Sequence, residues 1–409
     1  MAEGRDDRLP GARHPGSVGE VFRAFLVLGL TSFGGPVAHL GYFREAFVVR
    51  RRWLTDRAYA DLVALCQFLP GPASSQVGMA IGLQRAGAGG LLAAWAAFTL
   101  PSAIVLVACA YGLAAIDGLD GTGWIAGLKA AAVAVVALAV LGMARTLAPD
   151  APRATIAGAG AIVALTVPGA LGQVGAIGAA AVAGLVLLRG TTPAPSVDES
   201  FAVRMPRAVA VACLVAFGVL LAGLPVAAAV LADPTVSAFD LYYRAGALVF
   251  GGGHVVLPLL EAETVQAGTI GADAFLAGYG LAQAVPGPLF TFAGFLGAAS
   301  TSAPSGLGGA AIALVAIFLP GALLVVGVLP FWERLRGSAV ARGALAGANA
   351  GVVGILAAAL YSPVFTEGIT SIGAMCVAIA AFVALSAWKA PAWAVVLGAA
   401  VLGAWLLPG

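Results

Sequence analysis

Apolar runs alternate with short polar interruptions along nearly the whole chain. They fall at 20–49, 57–83, 88–114, 122–147, 153–168, 170–189, 207–232, 237–260, 272–299, 305–331, 340–363, 367–388 and 390–408. Most are apolar all round rather than along one stripe, so they predict helices buried in protein or lipid, not amphipathic surface helices. A bilayer crossing needs about 20 such residues. The one long polar interruption, 190–206 (GTTPAPSVDESFAVRMP), reads as an exposed linker.

The pattern repeats. Ser32-Phe33-Gly34-Gly35 resembles Val249-Phe250-Gly251-Gly252, and Gln67…Pro70-Gly71-Pro72 matches Gln283…Pro286-Gly287-Pro288. Leu100-Pro101 matches Leu319-Pro320, and Gly127…Lys129 matches Gly347…Asn349. The offsets are 217, 216, 219 and 220. Two halves of six segments, joined by one extra segment at 207–232, place the second half upside down relative to the first. That is the inverted-repeat plan of many secondary transporters. The expected fold is an all-α polytopic membrane protein made of two inverted-topology repeats with broken or re-entrant helices. Its parts are a polar cytoplasmic tail (1–19), an N-terminal repeat (20–189), a linker with a connecting transmembrane helix (190–236) and a C-terminal repeat (237–409).

Composition sharpens this. Charged residues are 10% of 409, hydrophobic residues 61%, and about 25% charged is usual for a soluble domain. Residues 1–57 hold 15 of the 40 charges, and none lies between Asp273 and Glu333. Nineteen Arg against two Lys and one Asn suggests a GC-rich bacterial genome. No basic tract with interleaved aromatics suggests nucleic acid. The four scattered Cys show no disulfide or metal spacing. Walker A, HExxH and GxSxG signatures are missing, so neither an enzyme nor an ATP-driven pump is expected, and no cofactor or metal. The first 20 residues lack the apolar core of a signal peptide.

With the N-terminus inside, Arg145/Arg153, Arg189/Arg204/Arg207, Arg334/Arg336/Arg342 and Lys389 fall inside and Asp117/Asp120, Asp233/Asp240 and Glu367 outside, as the positive-inside rule asks. The basic loop 44–57 and the acidic loop 261–273 obey the rule only if 20–49, 57–83, 237–260 and 272–299 enter and turn back. Re-entrant hairpins are therefore favoured over thirteen full crossings. Either way the C-terminus is periplasmic.

The chemistry is expected at the breaks. Phe33-Gly34-Gly35-Pro36 and Phe250-Gly251-Gly252-Gly253 interrupt one segment in each half, and the two Pro-Gly-Pro motifs break the next. Pro removes a donor and clashes with the preceding turn. Irregular backbone at membrane depth survives only inside protein or around a polar cavity. Each break exposes helix N-termini, which favour anions. Ser32, Gln67, Ser74, Ser75, Gln76, Gln283 and Thr291 would add neutral donors for an oxygen-rich anion. Lys129 and its repeat mate Asn349 lie inside apolar segments, where ionisable groups are costly and usually functional. Lys129 is expected to balance anion charge or, alternatively, to snorkel to the interface. His39 and His254, just past the Gly breaks, together with Glu45 and Asp61, are proton-coupling candidates. Arg44 and Glu45 could instead pair with each other, and Arg50–Arg52 with Trp53 read as an interface anchor.

The segment from Phe25 through FGGP, RRRW and Pro70-Gly71-Pro72 resembles the N-terminal half of the chromate ion transporter family. The segment FGGGHVVLPLLEAE…QAVPGPLFTFAGFLG resembles its C-terminal half. The resemblance covers about residues 20–365 and implies a bacterial inner-membrane exporter of chromate that draws on the proton-motive force, with functional positions around both motif pairs. Another tetrahedral oxyanion such as sulfate, or passive conduction, is the alternative. The implied partners are chromate and the lipid bilayer, and a homodimer is compatible with such a chain.

Overall fold

A computed structural model of the chain describes residues 16–33, 35–115, 123–167, 170–188, 201, 203, 205–250 and 253–407. Its described residues are helical with irregular joints and contain no strand. In the first half, α1 (Val18–Thr31), α2 (Gly35–Arg44) and a π-helical turn (Glu45–Arg50) lead to α3 (Asp56–Phe68), α4 (Ala73–Ala114), α5 (Gly123–Leu147), α6 (Ala151–Thr166) and α7 (Ala170–Leu187). The connecting helix is α8 (Arg207–Leu231). The second half has α9 (Pro234–Ala247), α10 (Val256–Thr264), α11 (Ala272–Ala284), α12 (Phe292–Ala299), α13 (Gly306–Val328), α14 (Trp332–Gly337), α15 (Ala339–Ala359), α16 (Thr366–Gly368), α17 (Ile372–Ser386) and α18 (Ala392–Leu406). All thirteen apolar segments carry helix. α4 is two helices in one, because Ala86 and Gly87 leave helical geometry and separate the predicted 57–83 and 88–114 segments.

Five described helices are long and apolar enough to cross a membrane: Ala73–Ala114, Gly123–Leu147, Arg207–Leu231, Gly306–Phe331 and Ala339–Gly368. Large apolar side chains such as Val186, Val230, Ile372 and Trp405 stand exposed on the outer helices, as lipid-facing residues do. Only Ala210 of α8 is buried, so the connecting helix lies at the periphery. This is a multi-pass membrane protein.

Short helices behave differently. At 1.5 Å per residue, the 14 residues of α1 reach only ~21 Å, short of the ~30 Å hydrocarbon core. Glu20, at the start of α1, pairs with Arg85 just before the α4 kink at 3.0 Å. Arg85 in turn stacks over Trp53, 4.8 Å from its ring centre, in the loop before α3. Both broken pairs of the first half, 18–50 and 56–85, therefore begin and end at one face. In the second half the Thr301 amide donates to the Thr269 carbonyl at 3.0 Å, so α11 and α12 also start and finish together.

Small residues let helices touch backbone to backbone, and the same contacts recur in both halves. Gly29 of α1 lies against Ala97 and Phe98 of α4, and Gly246 of α9 against Ile317 of α13. Gly127 of α5 meets Ala399 of α18, and Gly347 of α15 meets Ala180 of α7. The partner positions are 217–220 residues apart in each case. α5 thus packs on the last helices of the second half while α15 packs on the last helices of the first.

Candidate functional site

The four breaks are joined to one another by hydrogen bonds. α1 ends at Thr31 and α2 restarts at Gly35. α3 ends at Phe68, and α4 restarts at Ala73 after Pro70-Gly71-Pro72, with Pro72 at its N-cap. α9 ends at Ala247 and a 3-10 turn restarts at Gly253. α11 ends at Ala284, and a 3-10 turn at Leu289–Thr291 leads into α12.

Two hydrogen bonds tie these breaks together across the halves. The Gly71 amide donates to the Val249 carbonyl at 2.7 Å, and the Gly287 amide donates to the Ser32 carbonyl at 3.0 Å. Val249 and Ser32 are repeat mates, as are Gly71 and Gly287. Each Pro-Gly-Pro motif therefore grips the residue that precedes the glycine break of the opposite half. Both glycines are left-handed, φ +117° and +107°, a conformation that side chains resist. A Cβ on Gly71 would lie 3.5 Å from the Gly321 Cα, and one on Gly287 would lie 2.7 Å from the Ser102 hydroxyl. Ser102 and Gly321 are mates too, at the offset 219 of the Leu-Pro landmark beside them.

Around this crossing are buried polar atoms with no partner among the described residues: Ser32 Oγ, Ser75 Oγ, Gln76 Oε1, Thr99 Oγ1 and Gln283 Nε2; Asn349 Oδ1, in α15, also lacks one. Such atoms are rare in folded proteins and call for a reason. Gln76 spends its amide nitrogen on the Pro70 carbonyl at 2.8 Å, leaving its oxygen free. Thr291 turns its hydroxyl onto the Pro288 carbonyl at 2.7 Å. His39 bridges the first pair of breaks: Nε2–H donates to the Ser32 carbonyl at 3.2 Å, which leaves Nδ1 to accept from the Ser74 hydroxyl at 3.4 Å. His254 meets the Tyr279 hydroxyl at 2.7 Å beside the second.

Not every predicted site residue joins the crossing. Lys129 is buried but its Nζ lies 2.5 Å from Asp273 Oδ1, in the first turn of α11. Twelve helical positions, about 18 Å of rise, separate Asp273 from the break after α11. Gln67 is exposed. Asp61 is fully buried and accepts from the Trp332 indole and the Phe201 amide, each at 2.9 Å, tying α3 to α14. Arg44 and Glu45 do not pair with each other: Arg44 binds Asp56 and Glu45 binds Arg50, five positions on in the π turn. A π turn brings residues i and i+5 together, and this one rearranges that expected pair. Phe33 packs against Trp393 of α18. Phe250 is half-buried, Pro36 is the second residue of α2, Gly253 opens the 3-10 turn and Pro286 lies in the break after α11. Gly34, Gly251 and Gly252 lie outside the described residues.

Sequence reasoning missed Thr99, Ser102, Gly321 and Asp273. For Ser102 and Gly321 a signal was present, since each follows a Leu-Pro landmark by one residue.

The profile of the chromate transporter family matches residues 19–233 and again 236–404. The chain belongs to the chromate transporter family. A chromate transport protein of Pseudomonas aeruginosa is 30% identical over 405 residues, covering 96% of this chain and 93% of that protein. A chromate transport protein of Cupriavidus metallidurans is 28% identical, covering 76% and 73%. A probable chromate transport protein of Synechococcus elongatus is 26% identical, covering 78% of each. No solved structure matches the chain. A member of the chromate transporter family is a transport protein and not an enzyme. Its crossing of broken helices, lined by hydroxyl and amide groups, is its candidate site.

Proposed function

We propose that this family member exports chromate across the bacterial inner membrane, as a secondary transporter driven by the proton-motive force, and so confers chromate resistance. The observation that carries the reading is the reciprocal crossing, in which Gly71 grips Val249 and Gly287 grips Ser32 amid unpartnered hydroxyl and amide atoms. A tetrahedral dianion needs donors that do not discharge it, and Ser32, Ser75, Thr99 and Gln283 supply neutral ones. The N-terminal turns of α2 and α4 add unsatisfied amide groups and about half a positive charge each.

The inverted-repeat reading is supported by the paired contacts at constant offset and by the two successive profile matches. The re-entrant reading is supported by hairpin ends that lie at one face. Transport then follows as rocking of one half's hairpins against the other's, exposing the crossing to each side in turn. His39, clasped between Ser32 and Ser74, and His254 are the groups placed to couple a proton to that motion. Lys129 is neutralised by Asp273, so it ties α5 to α11 rather than balancing the anion's charge. The N-terminus is cytoplasmic and the C-terminus periplasmic, by the charge distribution.

The test is uptake of radiolabelled chromate by everted vesicles, with a sulfate competition arm and an uncoupler arm. The reading expects uptake that the uncoupler abolishes. Uptake indifferent to the uncoupler indicates a passive channel, and uptake of sulfate alone moves the substrate to another tetrahedral oxyanion.

A further inference from the structure

The two halves differ at one place that their pseudo-symmetry should make alike. In the second half Arg244, near the end of α9, reaches Asp240 at 2.8 Å and Glu263 of α10 at 2.7 Å, so this cluster ties α9 to α10. The positions 217 residues before Asp240, Arg244 and Glu263 are Arg23, Val27 and Ala46. There the space is open. A cavity of about 400 Å³ runs between α1 and the π turn, with Val27, Thr31, Tyr42, Ala46 and Arg51 on its walls. It reaches Thr31, one residue before the break at Ser32. A second cavity of about 400 Å³ adjoins it, sharing Ala24 and Arg51 and adding Ser17 and Arg23.

The charges on these walls are unequal. Glu45 is neutralised by Arg50, and Glu20 by Arg85. Arg23 and Arg51 make no ion pair among the described residues, and Arg51 is steadied by the Trp53 ring 5.8 Å away. The wall groups left uncompensated are thus two guanidiniums, followed by the hydroxyl of Tyr42, whereas Thr31 donates its hydroxyl to the Val27 carbonyl at 2.7 Å. Guanidinium groups match oxyanions in shape as well as charge, and π turns concentrate at functional sites.

We propose that the cleft between α1 and the π turn is the capture site for the transported oxyanion. Arg23 and Arg51 draw the dianion in, and Tyr42 passes it toward the break at Ser32. The ion cluster at Arg244 is the closed counterpart on the other half. This rests on the oxyanion-transport reading and names the side from which substrate is taken.

The test compares wild type with the Arg23→Gln/Arg51→Gln double variant in proteoliposomes made only of zwitterionic lipid, using radiolabelled chromate over a range of salt. Focused positive charge raises capture by tenfold or more, and salt screens it. The expected result is about a tenfold higher KM for the variant with maximal rate retained, and a wild-type KM that rises with salt while the variant's does not. A second variant, Arg23→Asp/Val27→Arg/Ala46→Glu, transplants the closed cluster and should abolish export while the protein elutes from a sizing column as wild type does. An unchanged KM in the arginine variant, or a KM shift that appears only when anionic lipid is added, overturns the capture site while wild-type chromate transport stands. If wild type carries no oxyanion, the functional reading itself falls and the capture site with it.

Discussion

Replacing Gly287 with Ala perturbs the crossing at its tightest point. Holding an L-residue at φ +107° costs about 1–3 kcal/mol. The new Cβ would lie 2.7 Å from the Ser102 hydroxyl and 3.3 Å from the Phe98 carbonyl, against 3.4–4 Å for ordinary contact. Backbone movement to relieve this threatens the Gly287–Ser32 hydrogen bond, worth about 1 kcal/mol. The sum is about 2–4 kcal/mol, which disfavours the crossed arrangement roughly 30- to 700-fold at about 1.4 kcal/mol per decade. Gly71→Ala should be milder, because its nearest neighbour is the flexible Gln76 amide at 3.0 Å. Export by everted vesicles, normalised to membrane-inserted protein, should therefore fall most for Gly287→Ala. Adding Ser102→Gly, which copies Gly321 of the other half, should restore part of the loss, leaving only the φ strain. Near wild-type export by Gly287→Ala, or equal loss with and without Ser102→Gly, would refute the reasoning.

Other expectations follow from particular contacts. Lys129→Met strands Asp273 and should lower the melting temperature in detergent by the few degrees that ~1 kcal/mol implies for a partly exposed pair, with Asp273→Asn in the same chain recovering it. No recovery would mean that Lys129 serves something other than that pair. His39→Gln should slow export about tenfold or uncouple it from the pH gradient, measured as chromate flux with and without an imposed gradient. Flux and coupling both at wild-type level would remove His39 from the mechanism. In a Cys-free background, Cys at the exposed position 52 should label from the cytoplasm and Cys at the exposed position 266 from the periplasm. Labelling of both from one side would contradict the inverted arrangement of the hairpins.

What the sequence reveals depends on how local the cause is. The breaks were legible because Pro and paired Gly act on their own backbone: a helix cannot run through Pro70-Gly71-Pro72 whatever surrounds it. The recurrence at 217–220 made the second set of breaks legible as the mate of the first. It does not say that each motif grips the other half, because Gly71 and Val249 meet only after the halves have packed. Lys129 shows the same limit. An isolated cation in an apolar run reads as a charge seeking an anion, and its partner Asp273 lies 144 residues away in the opposite half. Asp61 and Trp332 are separated by 271. The π turn at Glu45–Arg50 was hidden because its residues have ordinary helical composition, and only the displaced pairing of Glu45 with Arg50 distinguishes it.

The central claim is that the crossing of the four breaks holds the oxyanion. Equilibrium dialysis of radiolabelled chromate against the purified protein tests it most directly, with wild type beside Ser75→Ala and Gly287→Ala. Saturable binding by wild type that weakens about tenfold in Ser75→Ala, by loss of a buried hydrogen bond to a charged ligand, and disappears in Gly287→Ala is the predicted result. Equal affinity in all three proteins would place the anion elsewhere and contradict the account.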